Sequence, residues 1–90
     1  MAIAVYFHPE SFTAAQYDEC IKKLEAAGAG KPRGRLHHST FVSPDALMVY
    51  DVWESQETFD AFGQTLMPIL STMQVDPGQP DIMPVHNLIQ

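Results

Sequence analysis

An α+β domain with the element order βαββαβ is predicted by three observations. Runs rich in β-branched and aromatic residues occur at both ends and twice in the middle of the chain, the two stretches between them carry apolar residues at three-and-four spacing, and the size suits one small core. The chain has 90 residues, 46% hydrophobic and 18% charged, which is too apolar for disorder and too short for two cores. In this order right-handed crossovers place both helices on one face of a four-stranded antiparallel sheet, with the strands in spatial order four, one, three, two. That is the ferredoxin-like arrangement.

Ala2 to His8 is stopped by Pro9, which has no N–H for a ladder, and reads as strand one. Ser11 is the expected N-cap of helix one. Its buried face is Phe12, Tyr17, Cys20, Ile21, Leu24 and Ala27, and Gly28 and Gly30 mark its end. Ala29 to Gly34, with two glycines, a proline and two cations, reads as an exposed connection. The stretches Arg35 to Val42 and Ala46 to Trp53 favour pleated structure, and Ser43, Pro44 and Asp45 supply the turn of a hairpin. Ser55 is the expected N-cap of helix two, which buries Phe59, Phe62, Leu66, Ile69 and Leu70. Glu57 and Asp60 suit its positive end, and Pro68 should bend or finish it. After a proline-bearing loop from Val75 to Pro80, Asp81 to Gln90 supplies the last strand.

Both helices cover the same side of this sheet, so its other side presents apolar side chains from four strands to water. That is more than a monomer of this size leaves wet, and a second copy would cover it in a symmetric homodimer. Apolar burial and ordering entropy nearly cancel in so short a chain, which makes burial by association the more valuable.

A net charge of −6 disfavours nucleic acid and anionic membrane surfaces as partners. All five cations, Lys22, Lys23, Lys31, Arg33 and Arg35, lie in the first half and read as a solvated helix end and loop. The single cysteine, Cys20, excludes an internal disulfide and suits a reducing compartment, and on the apolar face of helix one it is expected to be buried and inert. No stretch approaches 18 consecutive apolar residues and the first residues lack a basic leader, so a cytoplasmic location is expected.

The run Asp51-Val52-Trp53-Glu54-Ser55, leading into a helix with Phe59 and Phe62, resembles the small dimeric α+β-barrel proteins of the antibiotic-biosynthesis-monooxygenase-like group. Leu36-His37-His38 and Pro84-Val85-His86-Asn87 are similar to a subgroup of short, mostly uncharacterised members. The group includes cofactor-independent oxygenases of aromatic polyketides, haem-degrading enzymes, small isomerases and proteins without known activity, so the fold leaves the chemistry open. Haem-degrading members rely on an Asn in strand one and a Trp and a ligand His in helix two. This chain has Phe7 and Phe62 in those regions and no His between His38 and His86, which argues against a haem role. The resemblance implies a small protein that binds an apolar or aromatic metabolite in a helix-sheet cleft, with cofactor-independent monooxygenase chemistry and no cofactor. A non-catalytic dimeric ligand-binding or interaction module and a small isomerase or lyase are the alternatives.

If Pro44 and Asp45 centre the hairpin turn, Val42 pairs with Leu47, Thr40 with Val49, His38 with Asp51 and Leu36 with Trp53. His38 and Asp51 then share a face, and a carboxylate that orients an imidazole suits general acid/base work near neutrality. Such a pair could take a proton from a phenol-like substrate, leaving an electron-rich anion to react with oxygen. A purely structural hydrogen bond is the plain alternative. His37 falls on the other face, opposite Val52. His86 shares a face with Ile82, Pro84 and Leu88 in a half-buried strand, where its ring needs a partner, and is the third candidate catalytic group. His8, beside Pro9 at a strand end, is expected to be structural. Strands two and four are opposite edges of the predicted sheet, so His38 and His86 should stand roughly 14 Å apart and cannot share one ion; no metal is expected. Tyr6, Tyr50, Trp53, Phe59 and Phe62 are the aromatics expected either to line the cleft or to be plain core. Met48, Met67, Met73 and Met83 read as gap fillers.

Overall fold

Strand β1 (Ile3–Phe7) runs between two partners in a computed structural model that describes residues 1–42 and 46–89. Around it come α1 (Ala14–Ala26), β2 (Arg35–Val42), β3 (Leu47–Trp53), α2 (Gln56–Thr72) and β4 (Asp81–Pro84). The sheet order is β2-β3-β1-β4 with every pairing antiparallel, the arrangement that the element order predicts. The expected turn residues Ser43, Pro44 and Asp45 lie outside the described residues, as does Gln90.

Period-two alternation decides which side chains meet the helices. On β1 these are Ile3, Val5 and the half-buried Phe7, and on β3 Leu47, Val49, Asp51 and Trp53. Cys20 and Leu24 of α1, Phe62 and Leu70 of α2, and Phe12 ahead of α1 close over them. Trp53 and Val5 are wholly buried at the centre of this layer.

Helix α1 starts two residues later than the Ser11 expectation. Thr13 is the N-cap, its hydroxyl accepting from the Gln16 N–H while the Gln16 side chain accepts from the Thr13 N–H, and this capping box outcompetes a lone serine. Ala27, expected on the buried face, is the exposed C-cap. Gly28, at φ 78°, then lets Ala29 N–H reach Leu24 C=O and Gly28 N–H reach Glu25 C=O in a Schellman turn. Ser55 caps α2 as expected. That helix does not finish at Pro68 but runs on to Thr72. Pro68 and Gln64 are both exposed, so the carbonyl that Pro68 cannot serve faces water.

Two further strand expectations are corrected. β4 stops at Pro84, which has no N–H to donate. After Val85 N–H bonds Ala2 C=O the chain leaves the sheet, so His86 and Leu88 are exposed and lie outside any strand. In β2 the register is as expected for Val42, Thr40, His38 and His37, but a bulge follows, and Arg35 rather than Leu36 stands opposite Trp53. Gly34, immediately before, has φ 88° and its carbonyl accepts from Glu54 N–H at 2.8 Å. A Cβ there would come within 2.6 Å of Thr58 in the first turn of α2, so glycine is what lets β2 enter the sheet at this point.

Candidate functional site

On the helix-facing side of the sheet β3 places a carboxylate, Asp51, only 4% exposed, among apolar neighbours. A carboxylate taken out of water needs partners for both oxygens. Oδ1 bonds His38 Nδ1 at 2.5 Å, and Oδ2 accepts from the Trp53 indole N–H at 3.3 Å. The partner of Oδ1 comes from the adjacent strand, directly across the ladder, as the hairpin register requires. A carboxylate only accepts, so the proton belongs on His38 Nδ1, and the neutral ring offers a lone pair at Nε2. There the Tyr17 hydroxyl, on α1, stands 2.7 Å away and donates. Trp53, Asp51, His38 and Tyr17 thus form one hydrogen-bonded line across β3, β2 and α1.

Above this line is a cavity of about 60 Å³ between the helices and the sheet. Its walls include Phe12, Ile21, Phe62 and Leu66; its polar groups are Tyr17, His38, Asp51 and Arg35. Arg35 is there because of the bulge at Leu36. In an unbroken strand residues 35 and 38 would point to opposite faces, and the extra residue returns Arg35 to the face of His38.

Burial raises the Tyr17 hydroxyl above its ordinary value of 10.0, while a hydrogen bond with Thr40 and the charge of Arg35 act against the rise. Burial likewise pushes the Cys20 thiol above 9.0. Both groups hold protons in the fold that the unfolded chain releases. Their contribution is therefore complete below the unfolded values and is lost as pH rises past them. The melting temperature is expected to fall once pH exceeds 9.0, and Cys20→Ala is expected to delay that fall until nearer 10.0. Thermal unfolding of both proteins from neutral to alkaline pH measures this.

Of the residues singled out from sequence, His38, Asp51 and Phe62 meet at the cavity. Trp53 lies beneath it, with its ring centroid 5.7 Å from that of Phe59 and 5.2 Å from that of Phe62, so Trp53 and Phe59 act as core. Tyr6 and Tyr50 pair with each other on the opposite face, because even-numbered positions of β1 and β3 alternate away from Asp51. There the Tyr6 hydroxyl donates to Met48 Sδ, and Tyr50 stands against His37. His86 is exposed and is not among the residues that line the cavity. His8 bonds Asp81 Oδ2 at 3.1 Å on the surface. Among the described residues no group of three His, Cys, Asp or Glu side chains could hold a metal ion.

Sequence reasoning placed Tyr17 on the buried helix face but missed its role, and it put Arg35 at the start of strand two but grouped it with the solvated cations. A tyrosine on an apolar face has a hydroxyl that needs a partner, and that signal was available. The bulge that turns Arg35 inward leaves no mark in the local sequence.

No protein-family model matches the chain, and no curated protein matches it in sequence. Solved structures do match. A protein described as an antibiotic biosynthesis monooxygenase from Chloroflexus aurantiacus superposes with a TM-score of 0.66 at 20% identity, covering 98% of this chain and 97% of that one. SnoaB, a cofactor-independent oxygenase from Streptomyces nogalater, gives 0.63 at 11% identity over 98% and 94%. A protein described as a monooxygenase from Shewanella loihica gives 0.56 at 18% identity over 97% and 96%. The chain has the ferredoxin-like fold of the antibiotic-biosynthesis-monooxygenase structures. Among the described residues no helix is long and apolar enough to cross a membrane.

Proposed function

We propose that this protein binds a small apolar or aromatic metabolite in the cavity above His38 and removes a proton from it, the first step of a cofactor-independent monooxygenation. The observation behind this reading is a His-Asp pair, 2.5 Å apart, at the floor of a mostly apolar cavity. Asp51 fixes the tautomer and orientation of the imidazole and stabilises the imidazolium that forms. The anion left on the substrate is electron-rich enough to react with oxygen directly. The likeness to a cofactor-independent oxygenase is in keeping with this reading at the level of fold. His86 has no part in it. Oxygen uptake with a panel of hydroquinones and fused-ring phenols tests the proposal. Turnover is expected with some of them and is expected to drop by about 10²- to 10⁴-fold in His38→Ala. Unchanged uptake in that variant would remove the basis of the reading.

A second reading, a non-catalytic ligand-binding module, is favoured by one observation. Both nitrogens of His38 are already bonded, and the cavity is smaller than the roughly 150 Å³ that takes a benzene. A ring-sized ligand must therefore push the walls apart, and saturable binding without turnover across the panel would select this reading.

The molecule works, in either reading, as a cytoplasmic homodimer. The sheet face away from the helices carries Phe41 (45% exposed) and Met83 (53% exposed) beside the half-buried Tyr6, Met48 and Tyr50, a surface suited to a second copy. Sedimentation at micromolar concentration is expected to give twice the 10.0 kDa chain mass. A stable species of single-chain mass would count against it.

A further inference from the structure

Neither nitrogen of His38 is open to the cavity, because Nδ1 is held by Asp51 and Nε2 by Tyr17. Tyr17 lines the cavity, and its oxygen, 2.7 Å from Nε2, is the atom through which a proton from the cavity can reach that nitrogen. The Tyr17 proton is donated to Nε2, which leaves lone pairs on the oxygen to accept another. Arg35 is the one cation among the described residues that line the same cavity. Its guanidinium bonds Gly30 C=O at a long 3.4 Å, which leaves N–H groups to spare for an anion.

We propose that Tyr17 is the group that touches the substrate and takes its proton, that His38 and Asp51 act through it, and that Arg35 receives the oxyanion so formed. This rests on the proton-abstraction reading above and assigns its proton transfer and charge stabilisation to named groups. The substrate is a neutral, apolar enolisable ketone or phenol, with one acidic C–H or O–H whose loss puts negative charge on oxygen. The substrate proton passes to Tyr17 Oη as the tyrosine proton passes to His38 Nε2. For a ketone, the electron pair of the broken C–H bond becomes the enolate, whose charge lies on the oxygen facing Arg35. The imidazolium is held by Asp51, and the cycle closes when the proton returns along the same line or is lost to water. No oxidant is needed for this step. A carboxylate substrate would need a second cation, and the apolar walls supply none.

Deuterium exchange into 2-tetralone, an apolar fused-ring ketone with an acidic C–H, reads this step apart from any reaction with oxygen. The intact protein in D₂O is followed by proton NMR, with binding measured separately from ligand line broadening. The native protein is expected to accelerate exchange. Tyr17→Phe, which keeps the ring against Phe12 and removes one hydroxyl, is expected to bind the ketone within about threefold of native and to lose about 100-fold in exchange rate. Arg35→Met is expected to keep binding of the neutral ketone and to lose rate as well. Native-like exchange in Tyr17→Phe together with loss in His38→Ala would overturn the role of Tyr17 while leaving His38 as a direct base. Native-like exchange in His38→Ala, or no acceleration by the native protein, would overturn the proton-abstraction reading and this inference with it.

Discussion

Trp53→Ala is expected to destabilise the protein by about 3–5 kcal/mol, the range for emptying an aromatic site in a packed core. The indole is wholly buried, lies against Phe59 and Phe62, and pairs across the sheet with Ile3. Its loss leaves a void that neighbouring strands are too constrained to fill. It also strips Asp51 Oδ2 of its donor. Trp53→Phe keeps most of the volume while losing the N–H, and it is expected to cost about 1–3 kcal/mol. Urea denaturation of both variants checks this. Equal losses would show that the hydrogen bond rather than the packing dominates. Domains of this size have about 5–15 kcal/mol in total, so the alanine variant should be near the edge of folding.

Asp51→Asn is expected to act oppositely, sparing the fold and removing the chemistry. The amide is nearly isosteric, and its oxygen can still accept from the Trp53 indole. Its NH₂ then faces His38 Nδ1, which must become an acceptor, so the ring proton moves to Nε2. That nitrogen can no longer take a proton from Tyr17. Turnover or proton exchange is expected to fall by about 10²- to 10⁴-fold, the consequence of fixing a catalytic imidazole in the wrong tautomer. The melting temperature should move far less than in Trp53→Ala. A structural His-Asp bond predicts the reverse, a loss of stability with unaltered ligand chemistry.

The fold and half of the site were legible in the sequence for the same reason. Hydrophobic period and turn chemistry set the βαββαβ order, and the hairpin register followed from the turn, which put His38 opposite Asp51. What was not legible depended on departures from regularity or on competition between neighbours. The bulge at Leu36 brought Arg35 to the cavity. The capping box at Thr13 moved the start of α1. Pro84 ended β4 early and left His86 outside it. Tyr6 and Tyr50 were grouped with Trp53 by residue type, although strict alternation sends positions 50 and 53 to opposite faces. The contact of Tyr17 with His38 spans an element boundary that no local pattern encodes.

Small apolar molecules with an acidic proton are expected to enter at His38. The most direct test of that entry follows the ring-carbon NMR signals of the four histidines while 1-naphthol is added. His38 is expected to shift saturably while His8, His37 and His86 stay in place. A silent His38, or equal movement of the exposed rings, would contradict it.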